Sequence, residues 1–234
     1  MRIAEIYRSR QGEGLLTGVE SLFVRTSGCN LRCWFCDTPY TSWDPEGEDW
    51  SLEEIAAQIE RLASSPEPAA RHVVITGGEP MLFGELIPLC QTLREAGLHI
   101  TLETAGTLYL PVACDLMSIS PKRANSTPSV EVAGKWRERH ERSRHVPDVI
   151  RRLTDEYDYQ LKFVIETPAD CEDVQLYLAE FPNLRSDRVL LMPQGILASE
   201  LAAKTAWLEP YCQKQGFAFC PRKHIEWYGA RRGT

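Results

Sequence analysis

Short runs of aliphatic and β-branched residues alternate along this chain with longer stretches whose apolar positions recur every three or four residues. Ser21–Arg25, Val73–Thr76, His99–Glu103, Asp115–Ile119, Gln160–Ile165 and Arg188–Met192 are the short runs, and each reads as a strand. Val73-Val74-Ile75 is apolar at every position, the pattern of a strand covered on both faces of a parallel sheet. Helical spacing fills the intervals. Ser51 caps the first helix, Glu54 completes a capping box, and Ile55, Ile59 and Leu62 form one apolar face. Pro66 and Pro68 end it. Further helices are predicted from Gly84 to Ala96, with Gly97 as C-cap, from Pro147 to Tyr157, and from Ala169 to Phe181. Another starts near Ala198 and is interrupted at Pro210, and Phe217–Phe219 reads as a last short strand. About six β–α units of this kind predict a parallel sheet with helices packed outside it.

One stretch breaks the pattern. Residues 123–146 are polar and charge-rich, with Trp136, His140 and His145 set among arginines. They read as a solvated excursion with a short helix, or as a lid or partner surface for an anionic ligand. No linker or repeat divides the 234 residues, so the chain is read as one domain, 1–234. No run of 18 apolar residues occurs and the first residues lack the apolar core of a signal peptide, so a cytoplasmic protein with no membrane partner is expected. A net charge of −7 argues against sequence-independent nucleic-acid binding.

Eight cysteines in a reducing compartment point to metal, redox or buried thiols rather than a disulfide framework. Three lie within eight residues as Cys29-x3-Cys33-x2-Cys36. Thiolates at such spacing can hold three corners of an iron–sulfur cubane and leave the fourth iron open to a small molecule. Zinc is the competing reading, but a closed zinc site needs a fourth protein ligand and the nearest histidine, His72, is far along the chain. Inert thiols are the third reading. Cys90, Cys114, Cys171, Cys212 and Cys220 are read as small core or near-surface residues.

Polar clusters gather where the predicted strands end. Arg25, Thr76-Gly77-Gly78-Glu79-Pro80, Glu103-Thr104, Ser120-Pro121-Lys122 and Pro193-Gln194-Gly195 all sit at or just beyond a C-terminal strand end. That edge is where barrels and doubly wound sheets bind ligands. The glycine pair is read as letting a ligand approach the backbone, with the Glu79 carboxylate beside it.

The cysteine array with its aromatic Phe35, followed by Gly77-Gly78-Glu79, resembles the radical S-adenosylmethionine superfamily. Gln11-Gly12-Glu13-Gly14, Cys36-Asp37-Thr38, Glu103-Thr104-Ala105-Gly106-Thr107, Ser120-Pro121-Lys122 and Pro221-Arg222-Lys223-His224-Ile225 narrow the likeness to the 7-carboxy-7-deazaguanine synthases. The likeness runs from about residue 5 onward, except for residues 123–146. It implies an incomplete (β/α) barrel of about six units and a lyase. The substrate would be 6-carboxy-5,6,7,8-tetrahydropterin, whose ring contracts with loss of ammonia to give 7-carboxy-7-deazaguanine, a step toward queuosine-type tRNA modification. The implied cofactors are a 4Fe–4S cluster, S-adenosylmethionine and Mg²⁺. The implied partners are an electron donor such as a flavodoxin and a second copy of the chain.

Carried over residue by residue, the likeness makes Cys29, Cys33 and Cys36 the cluster ligands and Thr38 the magnesium ligand. Phe35, Cys36, Asp37, Gly78, Glu79, Ser120, Pro121, Lys122 and Gln194 would meet the cofactor. Arg10, Gln11, Gly12, Arg25, Thr76, His224 and Thr234 would meet the substrate, with Arg25 on its carboxylate. Glu103 and Arg25 would be catalytic. Arg10 departs from the family, where that position is usually apolar. Two other readings are a glycyl-radical-enzyme activase and a zinc-stabilised binding module. The Gln-Gly-Glu-Gly segment, Arg25 and Cys-Asp-Thr argue against the first.

Overall fold

A computed structural model describes residues 1–64 and 69–234. The proposed helix end at Pro66 and Pro68 lies outside the described residues. Among the described residues nine strands form one sheet: β1 (Arg2–Arg10), β2 (Glu20–Thr26), β3 (Glu48–Asp49), β4 (His72–Gly77), β5 (His99–Thr104), β6 (Leu116–Ile119), β7 (Tyr159–Ile165), β8 (Val189–Pro193) and β9 (Ala218–Phe219). Their order is β3-β1-β2-β4-β5-β6-β7-β8-β9. From β2 to β9 every pairing is parallel. β1 runs antiparallel to both β2 and β3.

The helices are α1 (Pro39–Ser42), α2 (Leu52–Ser64), α3 (Leu86–Glu95), α4 (Val130–Ala133), α5 (Lys135–Ser143), α6 (Pro147–Glu156), α7 (Pro168–Leu178), α8 (Ala198–Gln215) and α9 (Lys223–Tyr228). Six crossovers join the parallel strands, and five carry a helix; residues 105–115, between β5 and β6, do not. The parallel strands are apolar and their residues largely buried, and Leu22, Val73, Ile75, Leu102, Met117, Leu161 and Leu191 are fully enclosed with Ile55, Leu89, Ile150 and Val174 of the helices. The capping box of α2 forms as the sequence reads: the Ser51 N–H donates to Glu54 at 2.7 Å, and the Glu54 N–H donates to Ser51 Oγ at 3.2 Å. Gly97 takes φ +75° just past α3.

The sheet curls. β1 and β7 lie five strands apart in the order, about 24 Å if flat. Yet the loop leaving β1 reaches β7, with the Leu15 N–H donating to Gln160 Oε1 at 2.8 Å. The same loop holds the far edge, since Lys223 N–H donates to Gly12 O at 2.9 Å. The edge strands β3 and β9 do not pair with each other, so the barrel is incomplete.

Three features differ from the sequence reading. Strands β1 and β3 were not anticipated, because polar residues alternate through Arg2–Arg10 and burial along it is partial. Helix α8 runs through Pro210; losing one backbone hydrogen bond is offset by burying Leu208 and Cys212 on either side of it. The excursion is more than a solvated loop: its α5 buries His140 completely against the cysteine loop.

Candidate active site

The cysteine loop leaves β2 through Thr26-Ser27-Gly28 and is clamped to the end of β4. Gly78 N–H donates to Thr26 O at 3.1 Å, Glu79 N–H to Gly28 O at 2.8 Å, and Gly28 N–H to Thr41 O at 2.8 Å. A Cβ on Gly77 would sit 2.2 Å from Thr26 O, and one on Gly78 would sit 2.1 Å from Gly28 O. The glycine pair therefore admits the chain's own backbone, and both residues also line the cavity described next.

Cys29, Cys33 and Cys36 line one cavity of about 520 Å³, within the range of small-molecule sites. Burial pushes the Cys29 and Cys33 thiols up to about 12. Cys36 Sγ lies 3.2 Å from Ser42 Oγ, and Leu31 N–H points at Cys29 Sγ from 3.4 Å. Among the described residues no three His, Cys, Asp or Glu side chains converge as a single ion requires. All three thiols line the same cavity, as ligands of one cluster must. The donor set is all thiol, soft, and three in number, with room for further ligands. It fits an iron–sulfur cluster.

The opposite wall carries charge. Arg25, on β2, donates from Nε to Glu5 at 2.7 Å and from Nη2 to Tyr7 Oη at 2.8 Å. Tyr40 Oη donates to Glu5 as well, at 2.8 Å, and Arg232 Nε lies 3.3 Å from its other oxygen. Glu103, at the end of β5, accepts from Thr76 Oγ1 at 2.8 Å, Lys162 Nζ at 3.2 Å and Gln11 Nε2 at 3.4 Å. Lys162 also donates to Glu13 at 3.0 Å. Burial pulls the Lys162 ammonium down, but Glu103 and Glu13 outweigh it and hold its pKa above the usual lysine value. Burial likewise pushes Glu13 up, and Lys162, Arg222 and His224 outweigh it, keeping that carboxyl well below the usual range. Arg222 joins the ends of this network, donating to Asp37 at 2.6 Å and to Gly195 O at 2.6 Å while its Nε lies 3.4 Å from Glu13.

Most residues singled out in the sequence face this cavity: Arg10, Gln11, Gly12, Arg25, Phe35, Asp37, Thr38, Thr76, Gly78, Glu103, Ser120, Lys122, Gln194, His224 and Thr234. Gly12 packs on His224, whose Cβ would lie 2.6 Å from an added Cβ. Lys122 Nζ donates to Ser120 Oγ and O, at 2.6 and 2.9 Å, so the two act together. Two residues are corrected. Glu79 is completely buried and does not line the cavity. Its carboxylate accepts from Thr104 Oγ1 and Ala105 N–H at 2.8 Å and from Met81 N–H at 3.1 Å, so it ties the β4 turn to β5. Pro121 is buried beneath its neighbours and also lies off the cavity.

The sequence reading gave no role to Glu5, Tyr7, Tyr40, Glu13, Lys162, Arg222 or Arg232, all of which line the cavity. Lys162 carried a signal: it is a lone charge inside the apolar strand Tyr159–Ile165. Glu13 and Arg222 stood within quoted motifs. Glu5 and Tyr7 became legible only once β1 was placed beside β2.

A three-cysteine loop at the C-terminal edge of a curled parallel sheet defines a class. The Radical SAM superfamily model matches residues 23–155, more than half of the chain. Two curated relatives are similar over nearly the whole length. The 7-carboxy-7-deazaguanine synthase of Rhodopirellula baltica is 42% identical over 99% of this chain and 88% of its own. That of Halobacterium salinarum is 40% identical over 95% of this chain and 88% of its own. The crystal structure of QueE from Escherichia coli superposes with a TM-score of 0.71 at 25% identity, covering 95% of this chain and 94% of that one. The chain belongs to the 7-carboxy-7-deazaguanine synthase family of radical SAM enzymes. A 4Fe–4S cluster and S-adenosylmethionine are the cofactors of that superfamily. No helix among the described residues is long and apolar enough to cross a membrane.

Proposed function

We propose that this chain is a carbon–nitrogen lyase that converts 6-carboxy-5,6,7,8-tetrahydropterin to 7-carboxy-7-deazaguanine with release of ammonia, feeding deazapurine synthesis. One observation carries the reading: the three thiols and a set of oriented charged side chains line a single cavity. When bound, a cluster held by Cys29, Cys33 and Cys36 with S-adenosylmethionine beside it would supply the radical chemistry that hydrogen abstraction from the pterin requires.

The residues of the chain bind and orient. Arg25 has five N–H donors and spends one on Glu5 and one on Tyr7. Its remaining donors meet the substrate carboxylate. Glu103, held by three donors, presents a fixed carboxylate to the amino edge of the pterin, and Gln11 and Thr76 flank it. The backbone at Arg10 and Gly12 and the His224 ring complete that side. Phe35, Asp37, Gly78, Ser120, Lys122 and Gln194 receive the cofactor. Thr38 Oγ1, 3.9 Å from Cys36 Sγ, offers an oxygen to Mg²⁺. Thr234 lines the substrate end. The proposal includes a flavodoxin-type electron donor, a homodimer and a cytoplasmic setting, with no nucleic-acid or membrane partner.

The test is one anaerobic incubation of reconstituted protein with S-adenosylmethionine, dithionite, Mg²⁺ and 6-carboxytetrahydropterin, read by mass spectrometry. A product lighter than the substrate by one ammonia is expected. Formation of 5′-deoxyadenosine without that product would overturn the substrate assignment.

A further inference from the structure

The loop that carries the cysteines is held from outside the barrel by the excursion, and one histidine is central to the contact. His140, on α5, is fully buried. The Arg32 N–H, between Cys29 and Cys33, points at His140 Nδ1 from 3.1 Å. An N–H can only donate, so Nδ1 must be an unprotonated acceptor. Nε2 lies 2.9 Å from Ser126 Oγ. Ser126 Oγ donates its own proton to Arg123 O at 2.6 Å, so it accepts from Nε2–H. Every direction in the chain is thereby set: Arg32 N–H to Nδ1, Nε2–H to Ser126, Ser126 O–H to the Arg123 carbonyl. Only the neutral Nε2–H tautomer satisfies it.

Neighbouring contacts strengthen the same junction. Trp34 N–H donates to Ser126 O at 3.2 Å, and its indole N–H donates to Asn125 O at 2.6 Å. The Arg32 guanidinium lies 4.0 Å from the Trp136 ring centroid. Arg32 Nη1 turns back onto Cys29 O and Leu31 O, at 2.8 and 2.7 Å, closing the turn between the first two cysteines.

We propose that His140 is a positioning residue for the cluster loop: as a neutral Nε2–H imidazole it holds the Arg32 amide and so sets the spacing of Cys29 and Cys33. Residues 123–146 thus act as a brace on this loop. This rests on the cysteines being the cluster ligands and is independent of which substrate the enzyme takes. The physical reason is that an unpaired buried amide is costly, so a loop that loses this partner turns its N–H elsewhere and moves the thiols with it. Outer partners of this kind orient metal ligands and tune the metal they hold.

The test compares three substitutions. His140→Phe fills the space without an acceptor. His140→Asn places Oδ1 where Nδ1 stood and can still accept from Arg32. His140→Gln reaches toward Ser126 but not Arg32. In the cluster-free protein, ¹⁵N NMR of the wild-type ring should show the neutral Nε2–H form. Hydrogen exchange across residues 29–36 should be at least tenfold faster in the Phe and Gln variants and near wild type in Asn. After reconstitution, the Phe and Gln variants should hold less iron. Their reduced clusters should also show an altered EPR signal on addition of S-adenosylmethionine, and Asn should restore it. Should the Phe variant fail to fold, the Asn and Gln pair carries the same contrast. Unchanged exchange and EPR in Phe and Gln, rescue by Gln but not Asn, or a protonated or Nδ1–H ring in the wild type would each overturn the proposal.

Discussion

The two walls of the cavity are built on opposite principles. The cysteine wall is local in sequence, its three thiols falling within eight residues. Burial keeps the Cys29 and Cys33 thiols neutral, and the loop is held by backbone amides and one neutral imidazole. The facing wall is assembled from β1, β2, β4, β5, β7 and the segment past β9, and its side chains are charged and paired. The first is contiguous in the chain and is steadied by the amides and the imidazole packed against it. The second exists only when distant strands meet, and each ion in it depends on its neighbours.

Breaking the cysteine wall should have the largest effect. Replacing Cys29, Cys33 or Cys36 by Ala should abolish iron binding and turnover while leaving the fold; iron retained at wild-type level in one variant would remove that residue from the ligand set. The charged wall should fail differently, through stability. Lys162→Met leaves the half-buried Glu13 and Glu103 without their shared cation, which should cost ~1–3 kcal/mol in denaturant unfolding of the cluster-free protein. A loss below 1 kcal/mol would show that the two carboxylates repair their pairing unaided.

A third prediction uses pH. Burial depresses the His140 pKa to about 4, with Glu141 opposing and Arg144 and Lys122 adding to the shift. The unfolded ring titrates near ~6.5. Between those values the unfolded chain binds more protons, so stability should fall as pH drops from 6.5 toward 4, by at most ~3 kcal/mol, and level off below. That slope should be absent in His140→Phe. The smallest effect concerns the rim between the walls. Thr38→Ala should raise the Mg²⁺ concentration needed for half-maximal turnover severalfold without changing iron content, and an unchanged magnesium response would take Thr38 out of the ion's site.

The two walls also differ in how far they could be read from sequence. Glu79 shows the limit within the legible part: its place in the Gly-Gly-Glu motif was plain, but its burial, and hence its structural use, was not. Lys162 shows the reverse, a charge whose importance follows from being where an apolar residue belongs. His140 looked like one more polar residue among arginines. Only the close packing of α5 on the cysteine loop makes it a partner for Arg32.

The alternation of apolar runs and helical faces determined by itself the parallel sheet, its six crossovers and the strand-end edge on which the chemistry gathers, because burial periodicity is a local property of the chain. The spacing of Cys29, Cys33 and Cys36 determined the cluster loop for the same reason. Tertiary structure alone decided the antiparallel β1, the Glu13–Lys162–Glu103 pairing and the His140 brace. Each joins residues from 10 to 149 positions apart. Such contacts depend on how far the sheet curls and on which groups are left without water, and neither is written in any local pattern.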